Sequence, residues 1–258
     1  MKSDLASVQN EGVKTLTAKK IFFGHASVGN NIIDGIRDVI VDDQRLQSVN
    51  IVKLSSGYSI NGPGIYHDKN GKNGYPRIKI DAFKKRIENG LGENVDIAFF
   101  KLCYVDINKE TDVKEIFNYY SETMDNLKKT FPSVTFVHVT TPLYAHAWGL
   151  KGFIKNLLRG DPSNIKRNKY NELLRNKYEG NDPIYDLAAL ESTLPDGKRA
   201  SFTHEGEEFY ALAKQYTYDG GHLNETGRYL AARELLRVLS EISLKQDRHN
   251  YTARARNK

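Results

Sequence analysis

Lys20-Ile-Phe-Phe-Gly-His-Ala-Ser-Val-Gly-Asn-Asn-Ile-Ile-Asp-Gly-Ile36 is the stretch that decides how this chain is read. Its first four residues make a short apolar strand. A helical pattern follows at once, with Val28, Ile32, Ile36 and Val39 or Ile40 on one face. Outward from this unit the alternation continues. Strands are expected at Val49–Leu54, Asp96–Cys103, Val134–Thr140 and Pro183–Leu187, and helices at 80–91, 113–130, 165–177 and 225–242. The run Asp96-Ile-Ala-Phe-Phe-Lys-Leu-Cys103 is apolar almost without alternation, as in a strand covered on both faces. Five strands separated by helices predict one α/β domain with a parallel sheet between two helical layers. A long loop is expected from Ser55 to about Arg77, with glycines at 57, 62, 64, 71 and 74.

The boundaries follow from what flanks this pattern. Residues 1–19 read as an N-terminal extension, 20–244 as a single domain, and 245–258 as a basic, disordered tail. The chain of 258 residues carries a net charge of +6, and its last fourteen residues hold five Lys or Arg against Asp247. Little basic excess is left for the body, so nucleic acid is not an expected partner. No apolar run approaches the eighteen or more residues of a membrane span. The single cysteine, Cys103, excludes an internal disulfide and any Cys-rich metal site. Residues 1–20 lack the apolar core of a signal peptide. Because glycan esters are found mostly outside cells, an exported chain with its signal removed is the expectation.

In parallel α/β sheets ligands bind beyond the carboxyl ends of the strands. Ser27 stands there, between the first strand and first helix, where free backbone N–H groups and the helix dipole favour negative charge. Taken alone it reads two ways, as the N-cap of the helix or as a nucleophile whose own N–H helps hold an oxyanion. The second place is Tyr218-Asp219-Gly-Gly-His222, just before the last helix. Asp219 can fold back on the His222 imidazole and fix its tautomer, while His222 takes a serine proton. Alone this is an Asp-Gly-Gly turn with an exposed histidine. Together with Ser27 it favours a nucleophilic serine.

With these residues the chain resembles the SGNH (GDSL-type) hydrolase superfamily, in a divergent branch whose first motif reads Phe-Gly-His-x-Ser-Val-Gly. The resemblance spans about Lys20 to Leu239. It implies a three-layer α/β/α, flavodoxin-like fold with a five-stranded parallel sheet. It also implies ester hydrolysis, often of acetyl esters, through an acyl-serine and without a metal or other cofactor. By position Ser27 would be nucleophile, His222 general base and then acid, and Asp219 its orienter. The superfamily draws its oxyanion donors from a glycine N–H after strand two and an asparagine after strand three. Here Val105 stands where that asparagine would be, and valine donates nothing. Gly71 and Asn73, in the Gly-rich loop, are the expected replacements beside the Ser27 N–H, with the Tyr104 hydroxyl the other donor in reach.

Rival chemistries have weaker signatures. His25, His67, His138 and His222 show no ligand spacing, so no metal is expected. His25-Ala-Ser27-Val-Gly29 is one residue short of Gly-x-Ser-x-Gly. Cys103 reads as a small buried hydrophobe. His25, Tyr104, Tyr75 and Trp148 are expected to touch substrate. Aromatic rings at strand ends suit sugar faces, and Lys72, Arg77 and Lys101 are expected on the same rim. The expected activity is hydrolysis of an O-acetyl ester on a carbohydrate. A carbohydrate-binding relative with a degenerate oxyanion hole and an O-acyltransferase are the alternatives. Oligomeric state is not written in these residues.

Overall fold

A computed structural model describes residues 10–54, 59–146 and 161–256. Six parallel strands form the central sheet in the order β2-β3-β1-β4-β5-β6. These are β1 (Lys20–His25), β2 (Ile51–Lys53), β3 (Gly64–Lys69), β4 (Ile97–Phe100), β5 (Thr135–Val139) and β6 (Ile184–Tyr185). Helices α1 (Asn10–Leu16), α2 (Val28–Asp42), α6 (Leu187–Ser192) and α7 (Glu225–Arg256) cover one face; α3 (Pro76–Glu88), α4 (Val113–Thr130) and α5 (Pro162–Tyr178) cover the other. Alternate residues of one strand feed the two cores: Ile21 and Phe23 pack toward α2 and α7, and Phe22 toward α3 and α4. Two-sided burial explains why these strands read as unbroken apolar runs. A hairpin, β7 (Ser201–His204) with β8 (Glu207–Tyr210), lies apart from the sheet and packs Phe202 and Phe209 on Ile165 of α5.

Three features depart from the sequence expectation. The sheet has six strands, not five, because β3 occupies the middle of the expected loop and pairs with β1 along its whole length, from Lys20–Gly64 to His25–Lys69. Its sequence, Gly-Ile-Tyr-His-Asp-Lys, is too polar to look like an interior strand, yet its first four residues are buried. The last helix does not stop before a tail. It continues to Arg256, and on the way Lys19 meets Asp247 at 2.6 Å while Gln246 donates to Asp96 O and Thr135 Oγ1. Residues 10–19 are likewise part of the packed body, since Val13 and Leu16 of α1 are buried against α7. Among the described residues no helix is long and apolar enough to cross a membrane.

Candidate active site

Ser27 sits at the sharp turn from β1 into α2, with φ 55° and ψ −119°. This backbone conformation is strained for a residue with a Cβ, and such strain gathers at functional sites. The turn is closed by Gly29 N–H to Ala26 O at 3.1 Å and Asn30 N–H to Ser27 O at 2.7 Å. Gly29 is required by contact: a Cβ there would lie 2.4 Å from the Cβ of His25. The Ser27 hydroxyl does not cap the helix. It points instead at His222, with Oγ 2.8 Å from Nε2. Of the two roles open to Ser27 in sequence, the cap is the one its side chain does not play.

His222 comes from the loop ahead of α7, and Asp219 shapes that loop. Asp219 Oδ1 accepts the Gly221 and His222 N–H groups at 2.9 and 2.8 Å, while Oδ2 lies 2.7 Å from His222 Nδ1. A carboxylate on Nδ1 places the imidazole proton there and turns the Nε2 lone pair to Ser27. Desolvation works against the Asp219 charge, but hydrogen bonds from the His222 ring and from the His222 and Gly221 N–H groups outweigh it. The carboxyl is held well below its usual range. Tyr144 Oη donates to Asp219 O at 2.9 Å, Ala145 N–H to Gly220 O at 2.7 Å, and Leu223 N–H to Asn31 Oδ1 at 3.3 Å, so the loop is tied to two other segments. The pair stays accessible, with 44% of the His222 and 56% of the Asp219 side chain exposed.

The turn after β3 meets the segment that carries Ser27 through Asn70, whose N–H donates to His25 O at 2.9 Å. Asn73 Oδ1 accepts from Cys103 Sγ at 3.5 Å, and that same Sγ reaches Ala26 O, next to Ser27, at 3.4 Å. Gly71 takes φ +65° with its missing Cβ aimed at Lys79, 2.9 Å from Cα and Cγ. Among the described residues no acceptor takes the backbone N–H of Ser27 or of Gly71. Val105 is 38% exposed at the rim. The structure therefore brings Ser27, His222 and Asp219 into one hydrogen-bonded line and sets the Asn73 turn against the segment that carries Ser27.

The remaining expected site residues divide. Tyr104 packs edge-on to His222 with ring centroids 5.9 Å apart, and Tyr144 lies 5.5 Å from Tyr104. Tyr75 is exposed, with Lys72 Nζ 4.4 Å above its ring. Trp148 lies outside the described residues. His25 is not a surface contact: it is 3% exposed, hydrogen-bonded through Nε2 to His67 Nδ1 at 2.9 Å and tilted against Phe23 with ring centroids 4.7 Å apart. Burial, then the neighbouring His67, lowers its pKa to about 3. It points inward because β1 is an interior strand and position 25 falls on a covered face. Lys101 is likewise no rim residue. It is buried, with Nζ 3.4 Å from Cys103 Sγ, and desolvation lowers its pKa. Cys103 is buried as expected, with its Sγ 3.0 Å from Lys79 Nζ and 3.4 Å from Lys101 Nζ. Sequence reading missed Lys79 and Asp106, both fully buried below Asn73. Lys79 did carry a signal, since it falls four residues before Phe83 and eight before Ile87, on the apolar face of α3.

A parallel sheet wrapped by helices on both faces is also the fold of solved structures that superpose on this chain at low sequence identity. A GDSL-like lipase from Bacteroides thetaiotaomicron superposes with a TM-score of 0.54 at 11% identity, over 87% of this chain and 89% of that one. The lipase/acylhydrolase from Enterococcus faecalis gives 0.52 at 13% identity, over 86% and 96%. At the level of sequence, no family model and no curated protein matches.

Proposed function

We propose that this protein is a serine ester hydrolase. Ser27 Oγ attacks the ester carbonyl as its proton passes to His222 Nε2, and Asp219 stabilises the imidazolium. The tetrahedral oxyanion is met by the N–H groups of Ser27 and Gly71 and by the Asn73 amide. His222 then returns the proton to the departing alcohol, leaving acyl-Ser27. Water, deprotonated by the same imidazole, attacks the acyl carbon, and the carboxylic acid and free serine are released. The observation that carries this reading is the line from Ser27 Oγ through His222 to Asp219, at 2.8 and 2.7 Å, on a strained strand-to-helix turn. The names of the two superposed proteins, a lipase and a lipase/acylhydrolase, agree with acyl ester chemistry.

The acyl group we infer is small, an O-acetyl on a carbohydrate that the protein meets outside the cell. Tyr104 stands edge-on to His222, with Tyr144 against it and 37% exposed. Flat rings with polar edges beside an open imidazole suit a sugar carrying the ester. The test is turnover of a chromogenic acetyl ester, with chelator present, by the wild-type chain and by Ser27→Ala. Hydrolysis that survives chelation and vanishes in the variant is the expected result. No turnover of any ester by the wild type, with retained glycan binding, would replace the hydrolase with a carbohydrate-binding protein.

A further inference from the structure

Three residues of the turn after β3 rest on one residue of α3. Asn70 Nδ2 donates to Lys79 O at 2.9 Å, Gly71 presses its Cα hydrogen side against the Lys79 Cα and Cγ, and Asn73 Oδ1 accepts from Lys79 Nζ at 2.8 Å. Lys79 Nζ is also 2.6 Å from Asp106 Oδ2 and 3.0 Å from Cys103 Sγ. Its three N–H groups thus have three partners, and neither Lys79 nor Asp106 exposes any side-chain surface. Asp106 binds outward as well: Oδ1 accepts the Gly74 N–H at 2.6 Å, and Oδ2 accepts the Cys103 N–H. The buried pair therefore clamps the turn 70–74 to the turn that follows β4.

An ammonium has donors and no acceptor. The end of the Asn73 amide that faces Lys79 must be its oxygen, so its NH₂ faces away, toward solvent, where Asn73 is exposed. A free surface asparagine would sample both orientations and several rotamers. The geometry points to Lys79, with Asp106, as the positioning residue that presents the Asn73 NH₂ as an oxyanion donor, an inference that rests on the hydrolase reading above. Held this way, Asn73 supplies from the turn after β3 a donor that Val105 cannot supply from the turn after β4. Removing one partner alone would leave a buried charge unpaired, which explains why the two occur together.

The test removes the pair as a unit, in Lys79→Met/Asp106→Asn, with Asn73→Ala and the triple variant beside it. Acetyl ester kinetics should show kcat reduced roughly 10- to 100-fold in the pair variant with KM within about twofold, because a donor made mobile loses part of the roughly 10²- to 10³-fold that one donor supplies. Adding the pair change to Asn73→Ala should cost little more than Asn73→Ala alone, since the pair acts largely through that amide. Multiplicative losses, or an unchanged kcat in a folded pair variant, would overturn the inference. A second readout is independent of activity. The ¹⁵N–¹H heteronuclear NOE of the Asn73 side-chain amide should approach backbone values in the full wild-type chain and collapse in the pair variant. A mobile amide in the wild type contradicts the inference even if the pair variant fails to fold. If the wild type hydrolyses no ester, the hydrolase reading falls, and the NOE still decides the positioning.

Discussion

The two sides of Ser27 are built differently. His222 and Asp219 are half-exposed and come from one four-residue stretch, held by hydrogen bonds within the loop and by ties to Tyr144, Ala145 and Asn31. The Asn73 side is assembled from three distant segments, the turn after β3, α3 and the turn after β4, joined by a fully buried ion pair. An exposed pair needs only local geometry and water can help solvate its charge. A buried charge demands every partner at once, because desolvation is costly and an unmade hydrogen bond is not replaced by water. One side should therefore tolerate substitution as a loss of rate, and the other should register it in rate and fold together.

Ser27→Ala should give the largest effect, a loss of kcat on the order of 10⁶ with an unchanged melting curve, read by steady-state kinetics and calorimetry. Asp219→Asn should follow at about 10³- to 10⁴-fold, because the wrong imidazole tautomer faces Ser27 while the exposed loop stays folded. An Asp219→Asn protein that unfolds would break the contrast between the two sides. Asn73→Ala should cost about 10²- to 10³-fold in kcat. Lys79→Met alone should show the other behaviour, losing about 3–5 kcal/mol of stability to the stranded Asp106 carboxylate. A Lys79→Met chain as stable as wild type in urea titration would show that the pair does not hold this side.

An effect that is absent at neutral pH lies beneath the Ser27 turn. The folded pKa of His25 is depressed to about 3 from 6.5, so the unfolded chain takes up a proton first. Stability from this group is complete above about pH 6.5 and is lost as pH falls toward 3. The melting temperature should drop across that window, with a shallower slope in His25→Gln.

The same contrast explains what the sequence made legible. The alternation of strands and helices and the Ser27, Asp219 and His222 positions depend on local patterns, and the structure places the three side chains together. β3 was hidden because His67 and Asp68 occupy an interior strand, where polar residues are not expected, and glycines flank it. The basic segment after Leu244 looked like a tail by charge alone, while the contacts of Gln246 and Asp247 that carry the helix onward involve residues more than a hundred positions away. His25 and Lys101 looked like surface chemistry because histidine and lysine usually are. Only the third dimension shows that both face inward. Lys79 and Asp106 are separated by 27 positions in sequence, and no spacing rule links them.

Covalent labelling of the active serine tests the central claim most directly. The full-length protein would be incubated with a fluorophosphonate, digested, and mapped by mass spectrometry, with Ser27→Ala and His222→Ala in parallel. The account predicts a single adduct on Ser27, formed fast in the wild type, absent in Ser27→Ala and slowed by orders of magnitude in His222→Ala. A folded wild-type protein that takes no label, or takes it on another residue, would contradict the assignment of Ser27 as the nucleophile.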